Sequence, residues 1–184
     1  MRRRRLVWLA LAAALALVPA GFGFTDFLES HNAFCTSCHV GDRPLHEAKR
    51  RDFETLPPTN LAAEHLEHDK DFRCITCHRG VSWRNRVRVK LLSARDGVMY
   101  LLGRFDEPKQ MTHPLWREDC VQCHDSYEPD RGDAFHAIAV HNLPKFALNC
   151  VQCHEAHPTG RSEDQAFLAR EPLVAACRNC HEEF

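Results

Sequence analysis

Cys120-Val121-Gln122-Cys123-His124 is one of five places where this chain of 184 residues writes Cys-x-x-Cys-His. The others are Cys35-Thr36-Ser37-Cys38-His39, Cys74-Ile75-Thr76-Cys77-His78, Cys150-Val151-Gln152-Cys153-His154 and Cys177-Arg178-Asn179-Cys180-His181, and together the five consume all 10 cysteines. The spacing is that of c-type haem attachment: two thiols add across the porphyrin vinyl groups, and the histidine that follows is carried round to the iron. Five covalently bound haem c groups are therefore expected. His39, His78, His124, His154 and His181 are their proximal ligands.

Two other readings of CxxC compete. Zinc ribbons use such motifs two at a time, and a single CxxC can be a redox dithiol. Five is an odd number for paired zinc motifs, and zinc chemistry does not demand a histidine directly after each second cysteine.

Thioether attachment takes place outside the bacterial cytoplasmic membrane, so the chain has to be exported. Arg2 to Arg5 form a basic start, and the uncharged run from Leu6 to Phe24 follows. As a helix that run is about 28 Å long, close to the hydrocarbon thickness of a bilayer. The expected division is a signal-anchor helix over 1–24 and a periplasmic haem domain over 25–184, with the arginines left in the cytoplasm. Hydropathy serves a cleaved signal peptide equally well, because Val18-Pro19-Ala20 resembles a small-residue cleavage site.

Without Arg2 to Arg5 the 24 basic residues fall to 20 against 25 acidic ones, a net charge of −5. Nucleic acid is an unsuitable partner for such a domain, and a redox protein with a basic docking face is a suitable one.

Some 160 residues for five haems leave about 32 each, too few for an ordinary apolar core, so porphyrin faces should supply much of the interior. The expected fold is mainly α with sparse regular structure: a transmembrane helix, then a compact multihaem cytochrome c domain without significant β-sheet. Short helices should carry the motifs, joined by loops such as Leu56-Pro57-Pro58-Thr59-Asn60 and Glu128-Pro129-Asp130-Arg131-Gly132. The longest helix is expected from about Trp83 to Leu102, where apolar residues alternate with Arg and Lys, and it would pack on haems or lie against the membrane surface. Cys120 and Cys150 open an internal repeat, since each Cys-Val-Gln-Cys-His is followed by a proline and then by Asp133-Ala134-Phe135 or Asp164-Gln165-Ala166-Phe167.

Of the 13 histidines, eight lie outside the motifs: His31, His46, His65, His68, His113, His136, His141 and His157. Bis-histidine ligation keeps haem potentials low, and the surplus favours it over methionine. The distal candidates are His46, His65, His113, His136, His141 and His157. His157 stands one helical turn past His154, so it points away from its own haem and towards a neighbouring iron. Met99 and Met111 suit apolar packing.

The stretch Gly21-Phe22, eleven residues, then Phe34-Cys35-Thr36-Ser37-Cys38-His39 resembles the NapC/NirT/NrfH family of membrane-anchored multihaem quinol dehydrogenases. Asp96-Gly97 and Tyr100-Leu101-Leu102-Gly103, ahead of the third motif, are similar too. The resemblance is specific over 21–39 and thins beyond about residue 124. It implies a retained anchor, single-pass insertion in the cytoplasmic membrane, and oxidation of membrane quinol, or menaquinol, near the first haem. It also implies relay of single electrons to a periplasmic reductase or other redox protein. A lysine and an acidic residue after the second motif are associated with the family's quinol site, and the nearest matches are Lys90 and Asp96. Six residues put those two about 120° apart on a helix. The chain departs from the family in having five haems where four are common, and in Val40-Gly41-Asp42 where relatives have a methionine soon after the first motif. The first haem's distal ligand is then His46, another group, or none. Two other functions remain open: a conducting subunit of a larger membrane oxidoreductase, and a released periplasmic shuttle.

Overall fold

Arg2–Glu29 form α1, a single helix of 28 residues whose apolar side chains are exposed along its length. The computed structural model describes residues 2–37, 45–106, 108, 111–125, 127–130, 133, 135–142, 149–158, 167–168 and 170–182. Cys38, His39 and Val40-Gly41-Asp42 lie outside the described residues, as do Arg131, Gly132, Ala134 and the stretch 164–166. Among the described residues α1 is the one helix long and apolar enough to cross a membrane. It outruns the expected boundary at residue 24. Pro19 is accommodated within it, and past residue 24 the Thr25 hydroxyl donates to the Phe22 carbonyl (2.9 Å). Asp26 and Glu29 then find cations on a second helix, so the last turns are held by partners as well as by their own backbone.

The remaining helices are short, with one exception: α2 (Asn32–Cys35), α3 (Leu45–Phe53), α4 (Leu61–His68), α5 (Cys74–His78), α6 (Trp83–Leu101), α7 (Arg117–Val121) and α8 (Arg170–Arg178). Two 3-10 turns, Ala139–Asn142 and Cys150–Gln152, complete the described elements. No strand occurs among the described residues; one antiparallel bridge joins His154 to Leu168. The fold is mainly helical and lacks a sheet.

Caps and turns set the helix starts. The side chain of Asn60, fully buried, accepts the Ala63 N–H (2.9 Å) and opens α4. Ser82 does the same for α6, its hydroxyl accepting from Asn85 N–H (3.2 Å). Between α5 and α6 the chain turns at Gly80 with φ +72°, where an added Cβ would lie 2.8 Å from the Asn85 carbonyl carbon. Only glycine fits that turn.

Apolar burial is slight. Among the described residues Phe53, Ala63 and Phe167 are the buried apolar side chains. Polar ties do the joining between distant segments: Cys74 N–H donates to Asn32 Oδ1 (3.0 Å), Val81 N–H to Asp119 Oδ1 (3.0 Å) and Ala62 N–H to the Ala156 carbonyl (3.0 Å). The first ties motif one to motif two, the second motif two to motif three, and the third brings the segment of His157 alongside α4.

Candidate functional site: attachment turns and facing imidazoles

Each of the last four motifs is a single tight turn. In α5 it is helical throughout. In the third, fourth and fifth motifs the histidine N–H donates to the carbonyl of the first cysteine, His124 to Cys120 (3.0 Å), His154 to Cys150 (2.9 Å) and His181 to Cys177 (2.9 Å). The turn brings both cysteines and the histidine to one side of the backbone, because residues three and four apart share a helix face. The nine described cysteines are free thiols.

Consecutive motifs touch. α2 packs on α5, α5 on α7, and the 3-10 turn at Cys150–Gln152 on α8. The third and fourth motifs meet through the thiols of Cys120 and Cys150, which hydrogen-bond to each other. That contact pulls the Cys150 pKa down to about 6 and raises that of Cys120. Burial, with the charges of Cys35 for the one and Asp119 for the other, pushes Cys74 up to about 12 and Cys77 up to about 11. A redox dithiol has the opposite shift from that of Cys74 and Cys77. Among the described residues no three His, Cys, Asp or Glu side chains converge as a zinc site needs.

Opposite each described motif histidine stands one histidine from elsewhere in the chain. His65 faces His124 with ring centroids 5.8 Å apart, His157 faces His78 at 6.0 Å, His136 faces His154 at 6.1 Å, and His141 faces His181 at 6.1 Å. Two imidazoles on opposite sides of one metal, each nitrogen about 2 Å from it, have centroids about 6 Å apart.

Two of the four facing rings are fixed by a hydrogen bond at Nδ1. His65 Nδ1 donates to the Leu61 carbonyl (2.8 Å), which leaves the lone pair on Nε2. His136 Nδ1 lies 3.2 Å from each carboxylate oxygen of Asp133. His141 and His157 bury an Nδ1 that has no hydrogen-bond partner. Burial, then the charges of His157, Lys49 and His46, lower the His78 pKa to about 4, and burial lowers that of His157 too. Both rings are neutral at pH 7, as a ligand must be. Paired free thiols and neutral facing imidazoles at this separation fit a covalently attached bis-histidine haem.

Of the six distal candidates, four therefore face a motif histidine. His46 lies beside the His78–His157 pair, close enough for its charge to be felt by both. His113 stacks on Trp116, centroids 6.0 Å apart.

A second cluster sits where α1 ends. Lys90 on α6 donates to Thr25 Oγ1 (2.8 Å) and Glu29 Oε2 (2.8 Å) and pairs with Asp26 (2.8 Å). Arg86, one turn earlier, binds Glu29 (2.7 Å) and Asp26. Both cations lie over the Phe22 ring, at 5.0 Å and 5.8 Å. Glu29 is buried, whereas the Asp26 side chain is 43% exposed. Asp96 is not in this cluster. It sits by Arg95 (3.9 Å) and lines a cavity of about 250 Å³ with Met99, Arg104 and Phe105. Sequence reasoning named Lys90 and overlooked Asp26, Glu29 and Arg86. Their signal was available: carboxylates at i, i+3 just past an apolar run, and cations at i, i+4, each pair on one helix face.

No family model, curated protein or solved structure matches this chain.

Proposed function

We propose that the chain is a membrane-anchored pentahaem c-type cytochrome that takes electrons from membrane quinol beside the first motif and relays them to a periplasmic redox partner. The observation that carries this reading is the set of four facing imidazole pairs, each at the separation of two ligands on one iron. In this reading His157 serves the second haem, His65 the third, His136 the fourth and His141 the fifth, opposite His78, His124, His154 and His181 respectively. A bis-imidazole haem, once bound, supplies a one-electron couple of low potential. The protein's part is to aim the rings, through the Leu61 carbonyl at His65 and the Asp133 carboxylate at His136.

The contacts between consecutive motifs support a relay in chain order, from the membrane end towards the Cys177 motif. At the membrane end, the carboxylates of Asp26 and Glu29 stand nine and six residues before Cys35, and the ammonium of Lys90 on α6 pairs with both. Quinol oxidation releases two protons as well as two electrons, so an acceptor is needed there. Asp26, 43% exposed, takes one proton at a time and passes each to the solvent it faces, since Lys90 and Arg86 beside it disfavour its keeping one; Glu29, held by Arg86 and Lys90, positions Lys90 towards an arriving head group. This reading retains α1 in the bilayer, leaves Arg2 to Arg5 cytoplasmic and puts the haem domain in the periplasm.

Haem content and ligation test it together. Holoprotein made in a host with c-type maturation should give five haems per chain by pyridine haemochrome, with at least four low-spin bis-imidazole signals in its electron paramagnetic resonance spectrum. Zinc in place of haem, or a spectrum dominated by high-spin iron, would sink the proposal.

A further inference from the structure

α6 carries an apolar stripe that no described residue covers. Trp83, Val87, Leu91, Val98 and Leu101 fall within an arc of about 80° on the helix, and they are exposed, Trp83 by 73% and Leu101 by 84%. The opposite face, with buried Asn85 and half-buried Val89, Leu92 and Met99, turns towards the rest of the protein. Along one edge of the stripe stand Arg84, Arg88 and Arg95, all exposed. Arg84 covers the Trp83 ring at 5.6 Å. α6 holds five cations against one carboxylate, in a chain whose residues beyond Arg5 are net negative.

The position of this face decides its occupant. Through Arg86 and Lys90, α6 is fastened to the end of α1, and at that level α1 exposes Phe24 (62%) and Phe27 (63%). The stripe thus continues the lipid-facing surface of the anchor. We infer that α6 is an interfacial helix that lies on the outer surface of the bilayer, its apolar stripe among the acyl chains and its arginine edge against anionic phospholipid headgroups. A second attachment of this kind fixes the tilt of the haem domain and keeps the Asp26–Lys90 cluster at headgroup depth. The inference rests on α1 spanning the membrane, and not on the redox reading.

Full-length holoprotein reconstituted in nanodiscs with a photoactivatable phospholipid tests it, with cross-links mapped by mass spectrometry. In phosphatidylcholine containing a quarter phosphatidylglycerol, label should fall on α1 and on Trp83, Val87, Leu91 and Val98. Pure phosphatidylcholine should give severalfold less on α6 and the same on α1. Leu91→Glu, at an exposed position, should remove the α6 label, and a triple Arg84→Gln, Arg88→Gln, Arg95→Gln variant should remove its dependence on the anionic lipid. Label on α1 alone would overturn the inference and would mean that a haem or another protein covers the stripe. Label on neither helix would overturn the anchor reading and this inference with it. Equal α6 label in both lipids would overturn the anionic recognition.

Discussion

His65 illustrates how one side chain can be made ready for a metal: its Nδ1–H donates to a carbonyl one helical turn back, which leaves the lone pair on Nε2, and its ring stands 5.8 Å from that of His124. Replacing it should convert one haem of the five. His65→Ala, and separately His136→Ala, His141→Ala and His157→Ala, should each turn about one fifth of the iron high-spin by electron paramagnetic resonance, whereas His113→Ala and His68→Ala leave the spectrum unchanged. Loss of low-spin signal in the His113 variant, with none in the His65 variant, would reverse the assignment. The proximal residues could be read from spacing alone, since a motif is a local object. The pairings could not: His78 and His157 are brought together by tertiary ties such as Ala62 to Ala156, which leave no periodic trace.

Elements were the most legible level. The stretch expected as a helix from about Trp83 to Leu102 is helical over Trp83–Leu101, because its cap, its apolar periodicity and its freedom from proline all agree. α1 continues past the anchor expected over 1–24, because Asp26 and Glu29 are satisfied by α6. Two glycines separate backbone need from mere permissiveness. Gly80→Ala should destabilise the holoprotein by about 1–3 kcal/mol, as a left-handed residue with a blocked Cβ does. Gly97→Ala, inside α6 with open space around it, should stabilise by about 0.5–1 kcal/mol. Guanidinium titrations of both variants measure the difference. Lys90→Ala removes charge-assisted contacts worth about 1.5–3 kcal/mol to its partners. It should slow reduction by a quinol at least tenfold while leaving reduction by dithionite unchanged.

At the scale of the whole molecule, the described residues form a sparse core. With Phe53, Ala63 and Phe167 the buried apolar side chains among the described residues, the polypeptide has little to hold it together by itself, and in the proposed reading folding is linked to haem attachment. Chain made without haem maturation should therefore lack a cooperative thermal transition; a compact haem-free form that melts sharply would contradict this. In the proposed reading the motifs set the cofactor number, and their contacts in chain order lay out a path whose direction, from the anchor outward, follows from quinol as the donor. That direction is the central claim, and one measurement reaches it most directly: full-length holoprotein in lipid nanodiscs, mixed anaerobically with a menaquinol analogue, followed by haem absorption. The account predicts haem reduction by the quinol. If no haem is reduced while dithionite reduces all five, the chain does not oxidise quinol.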